Sequence, residues 1–284
     1  MVTFPDRLPT LFFEEIAEGE PGPDLHLPPA PDTCPFCGFG GAMTDEHIFP
    51  KWLLHEIVAR GGRFRRGGKL TDAIIGPTTP VCQDCNNTWL ATLENDVSQI
   101  LRKMFDFAYE LPHEDQARLA LWAAKIAILV DAASETRVVP RGFGHDLKIQ
   151  RRPHRDMYVW LAAYAGPGGA LTTIPWLIMS EETGADESVI AYCLTFTAFK
   201  VVFQVFIPFP SGSLAPLEDF RGSVVPVWPP QQGDIAWPPA YRFDEASVKA
   251  FVCRIYDNRE PVVMDISLEP VARIRANSQE QPSD

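Results

Sequence analysis

Four of the six cysteines constrain this chain most, because they stand in two Cys-x-x-Cys pairs, Cys34-Pro-Phe-Cys37 and Cys82-Gln-Asp-Cys85, with 44 residues between them. A tight turn can aim the two thiolates of such a pair at one ion, and Gly38, directly after the first pair, suits a knuckle of this kind. Four thiolates match tetrahedral zinc, an ion that tolerates soft sulfur and has no geometric preference of its own. The opening MVTFPDRLPT has no basic segment followed by an apolar run, so no export signal is read and the expected compartment is the cytoplasm. There, paired cysteines point to metal rather than to disulfides. A structural zinc ion on Cys34, Cys37, Cys82 and Cys85 would tie the start of a domain to the start of a helix. Cys193 and Cys253 lie singly among apolar neighbours and read as small buried hydrophobes.

The 284 residues suffice for one large domain or two ordinary ones, and the expected class is α+β. Residues 1–31 hold seven prolines and six acidic residues against the single Arg7, the composition of an acidic arm laid over the body. Residues 32–110 form the first domain, in which Leu90, Leu93, Val97, Ile100, Leu101, Met104 and Phe105 make one apolar stripe on a helix starting near Asn86. Residues 111–137 carry a packing helix, from about Glu114 to Ala133, with Leu119, Trp122, Ile126, Leu129 and Val130 on its inner face. Residues 138–276 read as an antiparallel β-rich domain, with a hairpin turning at 198–200 and a last helix capped by Asp244. The tail, 277–284, is expected to be disordered. The most apolar stretch, Val189 to Ile207, is broken by Thr195, Thr197, Lys200 and Gln204, so no membrane span or membrane partner is expected. Two Trp-Pro-Pro tripeptides, at 228–230 and 237–239, read as structural corners.

Between the cysteine pairs lies Thr44-Asp45-Glu46-His47-Ile48-Phe49-Pro50, and directly after the second pair come Asn86 and Asn87. An acid beside a histidine at a strand end, facing a polar residue at a helix start held by the same zinc, frames a pocket for a second, catalytic metal. The elements CPFC, EHIFP and CQDCN resemble the HNH endonuclease superfamily in its four-cysteine form. The runs CNNTWLATLE and DQARLALWAAKIAILV look like a bacterial group of HNH-containing proteins.

The resemblance implies a zinc-bound ββα-metal domain with a helical extension, and hydrolysis of phosphodiester bonds of nucleic acid. His47 matches the general base. Glu46 and Asn86 match the ligands of a catalytic divalent ion (Mg2+, Mn2+ or Ni2+). The family's middle asparagine has no counterpart, its place being taken by Pro77, and Asn87 is the residue available to substitute. The family usually has Asp where Glu46 stands. Strand alternation puts Asp45, not Glu46, on the face of His47, so the acid ligand is one of these two.

The segment from Arg60 to Lys69 carries Arg60, Arg63, Arg65, Arg66 and Lys69 and no acid. Its glycines allow close backbone approach and its guanidinium groups suit phosphate, so it is the expected contact to DNA, or to RNA. The net charge of −12 excludes a broad electrostatic coating of nucleic acid; binding through this loop would be local and salt-sensitive. His55 reads as a surface or packed histidine. The reading from a different class is a non-catalytic, zinc-organised binding module or effector subunit, whose C-terminal domain recognises a ligand, an effector-system partner or a second copy of the chain.

Overall fold

The computed structural model describes residues 33–60, 64–66, 69–71, 78–106, 108–134, 137–165, 173–180, 188–209, 222–230, 233–252 and 272–275. The expected arm, 1–31, the tail, 277–284, and Arg63 lie outside the described residues.

The first knuckle turns at Gly38, whose φ of +73° favours glycine; Gly38 N–H donates to Cys34 O and Cys34 N–H to Phe39 O, both at 2.9 Å. Strand β1 (Met43–His47) follows, and Pro50 opens helix α1 (Lys51–Ala59), which turns Leu53, Leu54 and Ile57 inward. Strands β2 (Phe64–Arg66) and β3 (Lys69–Thr71) form a small antiparallel hairpin. Strand β4 (Thr78–Cys82) then returns antiparallel to β1, with Met43 opposite Cys82 and His47 opposite Thr78. Helix α2 (Gln83–Cys85), a π turn over Asn86–Leu90 and helix α3 (Ala91–Asp106) continue from it. The stripe from Leu90 to Phe105 is buried as its spacing predicts.

Next come β5 (Tyr109–Leu111), α4 (His113–Ala132), α5 (Arg141–Gln150), β6 (Tyr158–Ala163), β7 (Thr173–Ser180), β8 (Ser188–Ala198) and β9 (Val201–Pro208). The last elements are β10 (Val224–Trp228), β11 (Ile235–Trp237), α6 (Glu245–Val252) and β12 (Ala272–Arg275). The main sheet has six strands in the order β10-β6-β9-β8-β7-β12. It is antiparallel except at one edge, where β12 runs parallel to β7, a departure from the expected antiparallel sheet. Chain length permits it: β12 lies far enough beyond β7 in sequence for the long connection that parallel pairing needs. The β8–β9 hairpin turns at Phe199 and Lys200, and Asp244 Oδ1 accepts the Ser247 N–H at 2.7 Å at the start of α6, both as expected. Both Trp-Pro-Pro tripeptides begin at strand ends, Trp228 closing β10 and Trp237 closing β11.

Helix α4 is more deeply buried than an amphipathic pattern predicts. Every residue from Leu119 to Ala132 is buried, including Lys125 and Asp131. On one side Trp122 meets the rings of Phe196 and Phe203 at 5.7 and 5.3 Å, and Tyr192 O–H donates to Ala127 O at 3.4 Å. On another, Thr79 Oγ1 of β4 donates to Leu129 O at 3.1 Å. One apolar cluster therefore runs from Phe36 through α3 and α4 to the sheet, across the expected boundary at 137/138. Among the described residues, no helix is long and apolar enough to cross a membrane.

Helix α5 has no counterpart in the sequence expectations, since Gly142 and Gly144 weaken helical propensity. Packing supplies what propensity lacks: a Cβ built on Gly144 would overlap the carbonyl oxygen of Pro35, so the helix backbone rests directly on the first knuckle. Gly144→Ala should therefore cost about 1–3 kcal/mol in urea unfolding. Gly142→Ala, which meets open space, should gain a few tenths to about 1 kcal/mol. Equal effects at the two positions would mean that α5 does not seat on the knuckle.

Candidate functional site

The sulfur atoms of Cys34, Cys37, Cys82 and Cys85 all lie within 4.8 Å of one another, and all but the half-buried Cys37 are buried. Cys37 Sγ and Cys82 Sγ are 3.4 Å apart, and Cys85 N–H donates to Cys82 Sγ at 3.5 Å. Four sulfurs gathered so closely could hold a metal ion such as zinc.

The surroundings suit such an ion. Burial pushes the Cys34 and Cys85 thiols up. It pushes on Cys37 in the same direction, but there the Phe39 amide and the neighbouring sulfurs outweigh it and hold the thiol below its ordinary value. A bound cation would favour thiolate throughout. Lys148 of α5, 3.0 Å from Asp84, is held protonated by that carboxylate and adds positive charge beside Cys85 and Cys37. The buried indole N–H of Trp89 meets no oxygen or nitrogen acceptor and favours the Cys85 thiolate instead. Arg151 covers the same indole at 4.9 Å, and Phe36 meets it edge-on at 5.1 Å. Donors of this kind around a sulfur set are the outer shell a metal site uses.

The second cluster lies where β1 ends against α3 and α4. His47 is half-buried; burial, Lys51 and Lys125 hold its pKa below the ordinary imidazole value, against the pull of Glu94 and Asp45. Of the two acids left open, Glu46 faces inward at 7% exposure and Asp45 is exposed. The Glu46 carboxylate lies 2.6 Å from Lys125 Nζ, and Glu94 of α3 binds the same ammonium at 2.7 Å. Lys125 is 0% exposed and its third partner is the His47 carbonyl, at 3.5 Å. Burial opposes its charge, but Glu94 and Glu46 outweigh burial and raise its pKa. Glu94 is itself pushed up by burial, with the Glu46 charge adding to the effect against Lys125.

Asn86 approaches the same strand: its Nδ2 donates to Thr44 Oγ1 at 2.9 Å, and Thr44 Oγ1 donates to Val81 O at 3.0 Å. Thr44 and Glu46 share a strand face, so Asn86, Glu46 and Glu94 gather on the helix side of β1. Asn87, one residue further on, is exposed. The expected divalent ion at Glu46 and Asn86 does not fit this arrangement. Glu46 is already engaged by the Lys125 ammonium, and Asn86 Nδ2 is engaged by Thr44.

The expected nucleic-acid contacts divide. Arg60 ends α1, where it binds both oxygens of Asp106, Nη2 at 2.8 Å from Oδ2, together with Glu56 at 2.9 Å. Its guanidinium also lies over the rings of Phe105 and Phe199, at 5.5 and 5.4 Å, so it anchors the root of the loop rather than offering a free fork. Arg65, Arg66 and Lys69 sit on the β2–β3 hairpin, Arg66 opposite Lys69. His55 is exposed.

Lys125 and Glu94 are the residues that sequence reasoning missed, although both carried a signal. Lys125 stands three residues after Trp122 and four before Leu129, on the predicted inner face of its helix. Glu94 stands four after Leu90 and three before Val97, on the matching stripe. Opposite charges on two apolar stripes that must pack together mark a buried ion pair. No protein-family model, curated protein or solved structure matches the chain.

Proposed function

We propose that this chain is an HNH-type endonuclease that hydrolyses phosphodiester bonds of nucleic acid, DNA foremost, on a scaffold organised by a structural zinc ion at Cys34, Cys37, Cys82 and Cys85. The observation that carries the reading is the position of His47. It ends β1 beside β4, and the helical segment that follows β4 begins at the cysteine set and is tied back to β1 by Asn86 and Thr44. An imidazole held below its ordinary pKa is neutral near pH 7, the form that accepts a proton. His47 would take that proton from water as the water attacks phosphorus opposite the leaving 3′ oxygen. Arg63, Arg65, Arg66 and Lys69 would hold the phosphate backbone, on a loop whose root Arg60 fixes.

One observation favours the second reading, a non-catalytic zinc-organised binding module whose sheet takes a partner or ligand: Glu46 is directed into the core toward Lys125. A plasmid-nicking and single-strand cleavage assay at low salt, with and without Mg2+, Mn2+ or Ni2+, separates the two. The endonuclease reading expects cutting that falls roughly 100-fold or more in His47→Ala while zinc content and circular dichroism stay unchanged. A wild type that cuts under none of these conditions leaves the binding module.

A further inference from the structure

Lys125 supplies a cation to Glu46, the acid on which the resemblance calls for a divalent ion. An ammonium has three N–H donors, and three acceptors surround this one: Glu46 at 2.6 Å, Glu94 at 2.7 Å and the His47 carbonyl at 3.5 Å. The group is fully buried, on a helix whose neighbouring residues are all buried too. A divalent ion entering beside it would place two further positive charges against a desolvated ammonium and compete for carboxylates that are already paired.

We propose that Lys125 is the resident cation of this site. It takes the place of a divalent ion between Glu46 and Glu94, so the protein binds no divalent metal at Glu46, and it is a positioning residue that holds the end of β1 presenting His47. The proposal rests on the reading of this site as HNH-like. Any divalent ion that stabilises the leaving 3′ oxygen in hydrolysis at His47 is then held elsewhere than on Glu46.

The test is Mn2+ binding to the zinc-loaded full chain, followed by electron paramagnetic resonance. Wild type and Glu46→Gln should bind Mn2+ equally weakly. Lys125→Ala, which frees two facing carboxylates, should gain one site about tenfold or more tighter, and adding Glu46→Gln should remove it. A wild-type Mn2+ site that Glu46→Gln abolishes would overturn the proposal, and so would a folded Lys125→Ala that gains none. Should Lys125→Ala fail to fold, the comparison of wild type with Glu46→Gln decides alone. Binding, not cleavage, is the readout, so the two readings fail separately. A protein that neither cuts nor binds Mn2+ at Glu46 loses the endonuclease reading and keeps the resident ammonium; one that cuts with Mn2+ on Glu46 does the reverse.

Discussion

Cys82→Ala is expected to abolish zinc binding at the cysteine set and to unfold the segments that meet there. Cys82 ends β4, lies 3.4 Å from Cys37 across the knuckles, and accepts the Cys85 N–H at the start of α2. Its loss removes one thiolate of four and the cap of the helical segment together. Structural zinc contributes on the order of 10 kcal/mol of apparent folding free energy, comparable with the whole stability of a typical domain. Hydrogen exchange should therefore show lost protection concentrated in 34–47 and 78–90, with zinc content falling in parallel. The buried neighbours Phe36, Trp89 and Leu90 should become accessible to solvent with it. A variant that keeps both its zinc and its protection would remove the cysteine set as the organising centre of the fold.

Lys125→Met should cost about 3–5 kcal/mol at neutral pH, the usual price of leaving a buried charge without its partner. Methionine fills much of the same volume, so the loss is electrostatic: Glu46 and Glu94 remain facing each other with no cation between them. Burial already pushes Glu94 up in the presence of Lys125, and removing the ammonium pushes it further in the same direction. Carboxyls whose folded pKa is raised contribute stability below their unfolded value and lose it as pH rises through the folded value. The deficit of the variant should thus be greatest near pH 7.5 and shrink toward roughly pH 5, as a proton replaces the missing charge. Urea unfolding at the two pH values measures this, and Glu46→Gln with Glu94→Gln in the Lys125→Met background should recover much of the loss. Equal stability of Lys125→Met and wild type at pH 7.5 would mean that the ion pairs are not formed in solution.

Some features could be read because their signal is short in sequence. The apolar stripe of α3, the Asp244 cap of α6 and the turn at Phe199 and Lys200 each depend on residues within a few positions of one another, and the structure has them where spacing puts them. Others depended on partners far away. Arg60 belonged by sequence to a basic run, yet its carboxylate partner Asp106 is 46 positions on, and that pairing turns a candidate phosphate contact into a structural anchor. Helix α5 was hidden because its two glycines argue against helix, and its reason for forming is a surface of another segment, the Pro35 carbonyl against Gly144.

The sequence by itself determined the metal-competent framework, since paired cysteines at knuckle spacing leave few uses for four thiols, and it placed His47 at the end of a strand between them. Tertiary structure alone decided which acid faces inward, that α4 is buried on all sides from Leu119 to Ala132, and that Lys125 reaches Glu46 and Glu94. The physical reason is range. Turn geometry and helical periodicity are set by neighbours a few residues apart, whereas the charge balance of a buried site is set by whichever distant chains close over it, where desolvation makes each unpaired charge too costly to leave alone.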